Sequence, residues 1–183
     1  ETQNDFSVQL NACKSAGADL LFLPIYYTPA SMILMQANTM GYAPIFFGCD
    51  GMDGILAIEG FDTSLAEGVM LLTPYSADSK EEKSAAFTAK YEEKYGEIPT
   101  QFSADTYDCV YVIYQALKDG VINADMSAEE ICEAMIAYMP TVTVDGVTGV
   151  MTWNAAGEVS KTPYAAVIKD GAYVGADNVE EAQ

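Results

Sequence analysis

Short apolar runs alternate with helical patterns over residues 1–75. The runs "LLFLP", "PIFFG" and "EGVMLLTP" have the length and composition of buried strands. Between the first two, a helix is predicted to open at Thr28 and Pro29 and to end at Gly41, and a short helix is predicted over residues 52–58. Strands and helices that alternate with short connections predict an α/β fold with a parallel sheet and right-handed crossovers.

Helical periodicity replaces this pattern from Ser79 onward. Aromatic residues recur at every fourth position in "FTAKYEEKY", which predicts one charged helix, and "TYDCVYVIYQAL" predicts a second. Ser127 and Glu130 have the spacing of a capping box and predict a third helix that ends near Met139. The segments "VTGVMTW" and "YAAVIKDGAYV" then predict a return to strands.

Composition restricts the chemistry that this chain can perform. Its 183 residues include 27 Asp and Glu and no His, and all 8 basic residues are lysine, which gives a formal net charge of -19. Such a charge repels phosphate backbones, so we expect no nucleic-acid partner. Without histidine the usual general base and zinc ligand are missing, and no nucleotide-binding or serine-nucleophile motif occurs. We therefore expect no enzymatic activity, no metal and no cofactor.

Cysteine spacing and hydropathy show no sign of a metal site, a disulfide framework or a membrane-spanning helix. The four cysteines, Cys13, Cys49, Cys109 and Cys132, have the spacing of neither a metal site nor a disulfide framework, and we interpret them as small buried side chains. No apolar run approaches the roughly 20 residues of a membrane-spanning helix.

Two polar side chains follow neighbouring predicted strands. Tyr26 comes just after "LLFLP" and Asp50 just after "PIFFG". Because ligands of open parallel sheets bind outside the carboxyl ends of the strands, we expect both side chains at one ligand-binding edge. Gly48 and Gly51 would let the backbone approach a bound molecule closely. Local sequence equally allows Asp50 to cap the following helix, with Asp53 as the rival cap, and allows Tyr26 to be a packing residue.

A family resemblance extends along nearly the whole chain. The segments "DLLFLPIYYTPASMILMQANTMGYAPIFFGCDGMDG", "EGVMLLTPYS", "FTAKYEEKYGEIPTQFSADTYDCVYVIYQAL" and "GVTGVMTWNAAGEVSKTPYAAVIKDGAYV" resemble, in order, the branched-chain amino-acid binding proteins, a type 1 periplasmic solute-binding family that serves ABC importers. The resemblance implies the C-terminal portion of a two-lobe α/β protein. Residues 1–75 would belong to the second lobe, the helices of 76–140 to the first, and the strands and hairpin of 141–183 to the second again.

The resemblance also implies roles for three residues. In that family a tyrosine after the first of these strands and an acid after the next hold the α-ammonium group of the ligand, and Tyr26 and Asp50 stand at these positions. Phe102 matches an aromatic residue that packs on the ligand's side chain, with plain core packing as its alternative. The family acid is often glutamate, so Asp50 would reach less far. The residues that hold the ligand's carboxylate belong to first-lobe loops outside this sequence.

The implied function is that of a non-enzymatic binding protein. Such a protein is extracellular or periplasmic, encloses an amino acid, branched-chain or related, between its lobes and presents it to the membrane permease of an ABC importer; a lipid anchor is left open. The sensing ectodomain of a receptor with the same fold is the alternative. A glycosidase-like enzyme ranks below both, since no feature singles out a carboxylate pair. Because the helices of residues 76–140 would lack the sheet that they cover, we expect self-association or a need for the missing N-terminal half.

Overall fold

The structure, a computed structural model, describes residues 4–175 and divides them into two compact units. Unit one comprises residues 4–78 and 164–175, and unit two comprises residues 79–163. The α-helices are, in chain order, α1 (Ser7–Ser15), α2 (Tyr27–Thr39), α3 (Glu82–Tyr95), α4 (Gln101–Lys118) and α5 (Ala128–Tyr138). The strands are β1 (Leu20–Leu23), β2 (Ile45–Gly48), β3 (Met70–Thr73), β4 (Thr143–Gly146), β5 (Gly149–Trp153), β6 (Val159–Ser160), β7 (Tyr164–Lys169) and β8 (Ala172–Gly175).

Unit one is built on a five-stranded mixed sheet with the strand order β1-β2-β3-β7-β8. The first three strands run parallel, as predicted, and β7 and β8 add an antiparallel hairpin at the β3 side. Helix α2 begins at Tyr27, two residues before the predicted first helical residue Pro29, and its N-cap residue is Tyr26, with extended backbone, instead of the predicted Thr28. The carboxyl ends of β1 and β2 therefore lead directly into the segments that carry the predicted site.

One face of this sheet holds the main core of unit one. Leu34 of α2 packs there with Met52, Ile55, Leu71 and Ile168, all of them almost fully buried. The opposite face exposes large apolar side chains, although "LLFLP" and "PIFFG" predict strands buried on both faces. The most exposed of these side chains are Leu20, Phe22 and Ile45, at 47%, 53% and 51%.

The segment after β2 is not the short helix predicted for residues 52–58. It forms two separate 3₁₀ turns, Asp50–Met52 and Ile55–Ala57. Asp53 has an extended backbone with ψ 135, and Gly54 has φ 101, a left-handed conformation that favours glycine. These two residues interrupt the helix because neither has the backbone angles that a continuous helix requires.

Unit two combines α3, α4 and α5 with an antiparallel sheet of order β4-β5-β6. The predicted strand "VTGVMTW" is present as β5, but its hairpin partner β4 was not predicted. We expected residues 141–183 to form one segment, whereas the structure returns to unit one only at Tyr164. The reason is packing: Val144 and Met151 of the β4–β5 hairpin form a core cluster with Val112 of α4. This hairpin therefore belongs with the helices.

The capping box predicted for α5 is confirmed. The Ser127 hydroxyl accepts the Glu130 N–H at 3.3 Å, and the Glu130 carboxylate accepts the Ser127 N–H at 2.8 Å. The hydrogen bond from the Ser127 N–H to the carboxylate, assisted by the Ser127 side chain, lowers the pKa of Glu130. Both partners satisfy backbone donors that the first turn of a helix otherwise leaves to water.

We predict that Ser127→Ala lowers the free energy of unfolding by about 1 kcal/mol at pH 7. Since the pKa of Glu130 is lowered in the folded state, its part of the box is present at neutral pH and is lost as the pH falls through that pKa. Urea unfolding monitored by Trp153, which packs beside the end of α5, measures the change. Ser127→Asp, which retains a capping oxygen, is the control and should stay close to wild type.

Candidate functional site

The loops that follow β1 and β2 lie side by side at one edge of unit one. A Cβ added to Gly51 would lie 3.1 Å from the carbonyl oxygen of Ile25 and 3.4 Å from the Cα of Tyr26. A side chain at this position would make an unusually tight contact, so glycine favours this close approach of the two backbones. Gly51 follows Asp50 directly, so the structure brings the segments of Tyr26 and Asp50 together, as their positions after neighbouring strands predict.

Both predicted side chains are accessible at this edge. Tyr26 is 66% exposed, and its carbonyl accepts the Ala30 N–H at 3.1 Å as the first turn of α2 begins. Asp50 is exposed at the start of the first 3₁₀ turn. The N-cap position of that turn is occupied by Cys49, and no side chain caps it. Asp50 is therefore the first residue of the turn and does not stand at the N-cap position that the local sequence allowed.

Asp53, the rival acid, has a different environment. It is only 6% exposed, and its carboxylate accepts a hydrogen bond from the Tyr173 hydroxyl of β8. Burial raises the pKa of Tyr173 above its ordinary value, and the neighbouring Asp53 carboxylate raises it further. The acid that faces solvent at this edge is therefore Asp50, whereas Asp53 is buried inside unit one.

Phe102 lies in unit two, as the second residue of α4, and is 37% exposed. Unit two also contains a groove of about 740 Å³ between α3 and α4 that no sequence argument singled out. Phe102 does not line it. Its walls include three lysines and five aromatic residues: Lys83, Lys90, Lys94, Phe87, Tyr91, Tyr95, Tyr107 and Tyr111.

The aromatic side chains of this groove contact one another. Phe87 and Tyr107 join α3 to α4 with ring centroids 5.0 Å apart, and the Tyr107 hydroxyl donates to that of Tyr111 at 3.2 Å. This hydrogen bond, together with burial, raises the pKa of Tyr107 to about 12. The repeat of aromatic residues at every fourth position was the signal for this surface, but periodicity alone does not distinguish a groove from a packed helix face.

The acids and cysteines of residues 4–175 form neither a metal site nor a disulfide. No group of three or more His, Cys, Asp or Glu side chains in that range could hold a metal ion. All four cysteines are free, and Cys109 and Cys132 are exposed, so the interpretation of these two as buried side chains was wrong. They lie on helix faces that are uncovered in unit two. Within the same range, no helix combines the length and the apolar character needed to cross a membrane.

The family model of the periplasmic binding proteins matches residues 1–180. The chain belongs to the periplasmic binding protein family. Among solved structures this binding protein is similar to the leucine binding protein LivK of Thermotoga maritima, with 25% identity and a TM-score of 0.77 over 94% of this chain and 48% of that chain. No curated protein sequence matches it.

Two further structures share the fold of this periplasmic binding protein. The branched-chain amino acid transporter substrate binding protein LivJ of Streptococcus pneumoniae, in complex with isoleucine, is 26% identical with a TM-score of 0.75, over 94% of this chain and 49% of that chain. An extracellular ligand binding receptor of Desulfohalobium retbaense is 21% identical with a TM-score of 0.73, over 98% of this chain and 29% of that chain. This chain spans about half the length of LivK and LivJ.

Proposed function

We propose that this chain is part of the solute-binding component of an ABC importer and that it binds an amino acid, branched-chain or related, through the α-ammonium group. The observation that carries the proposal is the close approach of the two loops at Gly51, the neighbour of the solvent-facing Asp50, to the backbone of Ile25 and Tyr26. Similarity to the amino-acid binding proteins LivK and LivJ supports the ligand class. These relatives are solute-binding proteins, which supports a role without catalysis.

The proposed contacts suit an ammonium group. Its three N–H donors need oxygen acceptors, and Asp50 supplies an anionic carboxylate while Tyr26 supplies a phenol oxygen. A hydrogen bond to a charged group contributes roughly 1.5 to 3 kcal/mol net, and more when water is excluded from it. Hinge closure of two lobes around the ligand would provide that exclusion. We further propose that Phe102 contributes an apolar contact to the ligand's side chain.

The lobe assignment is part of the same proposal. Unit one would belong to the second lobe, and residues 79–163 to the first. Two apolar surfaces would then be covered by the remaining half of the protein or, in the isolated chain, by a second copy. One is the open sheet face of unit one, and the other is a stripe on α4 with helical spacing and exposures of 49% to 58%, formed by Val110, Ile113, Tyr114 and Leu117.

The family supports a proposal for the cellular location and the partner of this protein. Periplasmic binding proteins act outside the cytoplasm, so we propose an extracellular or periplasmic location, with or without a lipid anchor, and a membrane permease as the partner. The strongly acidic composition fits neither nucleic acid nor an anionic membrane surface as a partner.

A receptor ectodomain is the second candidate. The receptor of Desulfohalobium retbaense shows that this fold also occurs in a chain described as a receptor. Reconstitution of the complete protein with its permease in proteoliposomes separates the two roles, because a carrier stimulates ATP-driven uptake of its ligand and a receptor does not. The sequence that follows residue 183 in the gene provides a second discriminator, since a spanning helix and a signalling domain would favour the receptor.

A thermal-shift titration of the complete protein against the standard amino acids tests the ligand class. We expect leucine, isoleucine, valine or a close relative to raise Tm by about 5 °C at 100 times its Kd, since that ligand concentration stabilises by about 2.7 kcal/mol. The corresponding carboxylic acids without the amino group are the controls and should have no comparable effect. Unchanged Tm with every amino acid would reject amino acids as the ligand class.

A further inference from the structure

The hydroxyl of Tyr173 holds the loop that carries Asp50. It accepts the Gly54 N–H at 2.9 Å, and it donates to the Asp53 carboxylate. Tyr173 lies on β8, more than a hundred residues further along the chain. We infer that Tyr173 is a positioning residue for the ligand, which fixes the loop of residues 50–58 and through it the carboxylate of Asp50. This inference rests on the proposed role of Asp50.

The loop has few regular hydrogen bonds of its own. Its two 3₁₀ turns supply short-range bonds such as the Asp53 N–H to the Asp50 carbonyl at 3.0 Å. Between the turns the backbone leaves helical angles at Asp53 and Gly54. Such a segment does not form a continuous hydrogen-bond ladder, so its conformation depends on contacts with the rest of unit one.

Gly54 is held from two sides. A Cβ at this position would lie 3.3 Å from the Tyr27 ring of α2, and the N–H points to Tyr173. Its positive φ of 101 adds a second reason for glycine. The loop therefore contacts α2 through the Tyr27 ring on one side, and on the other side it is hydrogen-bonded to Tyr173 in the hairpin of β7 and β8. Both residues proposed to hold the ammonium group depend on this arrangement.

The Tyr173 hydroxyl acts both as a donor and as an acceptor. A phenol can do both at once, and here it donates its proton to Asp53 while it accepts the Gly54 N–H. Removing the hydroxyl would leave a backbone donor and a nearly buried carboxylate without this partner. The side chain stays protonated at neutral pH, because burial holds its pKa above the ordinary value of a tyrosine. The hydrogen bonds of the Tyr173 hydroxyl therefore persist across the physiological pH range.

Tyr173→Phe in the complete protein tests the inference. The variant retains the ring, which packs against the main core of unit one, and removes only the hydroxyl. We expect Kd for the amino acid, measured by isothermal titration calorimetry, to rise about tenfold. We also expect the amide hydrogen of Gly54 to exchange faster with solvent. Tyr42→Phe is the matched control, because that hydroxyl donates to the Ala18 carbonyl at 2.7 Å and the residue is 8% exposed, but it packs in a separate cluster of unit one.

A double-mutant cycle distinguishes positioning from a general loss of stability. If Tyr173 acts through Asp50, then Tyr173→Phe causes no further loss of affinity in an Asp50→Asn background. An equal loss in both backgrounds would overturn the inference. So would unchanged Kd and unchanged Gly54 exchange in Tyr173→Phe while the wild type binds an amino acid. Failure of the wild type to bind any amino acid would instead reject the proposed function, and with it the ligand role of Tyr173.

Discussion

Asp50→Asn is expected to raise the Kd of the complete protein for its amino acid about 100-fold, which corresponds to about 3 kcal/mol. The asparagine has nearly the same size and still offers one oxygen, so the change removes the negative charge and little else. The loss is large because the ammonium group would remain enclosed without an anion once water is excluded. Isothermal titration calorimetry at pH 7 measures it directly.

The control for this prediction is Asp62→Asn. Asp62 is an exposed acid of the same unit, and its carboxylate accepts the Ser64 N–H at 3.1 Å, which an asparagine oxygen can replace. This variant makes the same change in net charge, so an unchanged Kd would show that the effect of Asp50→Asn is local. A Kd of Asp50→Asn within about threefold of wild type would contradict the role of Asp50 as the ammonium ligand.

Asp108→Ala is expected to destabilise unit two by about 3 kcal/mol. Asp108 is 2% exposed, and its carboxylate accepts the Val147 N–H at 2.8 Å, the Thr148 N–H at 2.9 Å and the Thr148 hydroxyl at 2.6 Å. Alanine would leave these three donors buried without an acceptor, at about 1 to 3 kcal/mol each before water enters. Urea unfolding of this chain, followed by the fluorescence of Trp153, the only tryptophan among its 183 residues, reports on unit two.

Two further variants test whether the buried carboxylate of Asp108 is the cause of the expected loss. Asp108→Asn should also destabilise unit two, because all the observed partners donate and an amide nitrogen cannot accept from them. The loss should be smaller than for alanine, because the amide oxygen still accepts. Asp119→Ala is the control, since Asp119 is an exposed acid of the same unit whose carboxylate accepts from the side chains of Gln115 and Tyr138. If Asp108→Ala unfolds at the same urea concentration as Asp119→Ala, the buried carboxylate does not stabilise the hairpin.

Gly146 belongs to the same contact. A Cβ added at this position would overlap the Asp108 carboxylate, so the β4–β5 hairpin approaches α4 this closely only with glycine there. No local pattern in the sequence indicated that Asp108 and Gly146 meet, because 38 residues separate them along the chain. Strand β4 went unpredicted for a related reason: "TVDG" is too short and too polar to stand out until its pairing with β5 is known.

Other features were predictable because their causes are local. The capping box of Ser127 and Glu130 lies within four residues, and the structure confirms it. The parallel strands β1, β2 and β3 follow from apolar runs separated by helical connections, and they are also confirmed. Helix α4 was correctly predicted from the spacing of apolar and aromatic residues such as Val110 and Tyr114, but within unit two these two side chains are exposed. Periodicity identifies an apolar face and does not reveal what covers it.

The sequence by itself determined the order of the three parallel strands and of the later helices, the α/β class, the family and the positions of Tyr26 and Asp50 after neighbouring strands. Each of these depends on short-range patterns or on an ordered likeness along the chain. Only the tertiary structure decided that Gly51 joins the two loops, that Asp53 is buried while Asp50 faces solvent, and that Tyr173 holds their loop. Burial and hydrogen bonding between distant residues are set by how the elements pack, and local propensity contains no information about that packing.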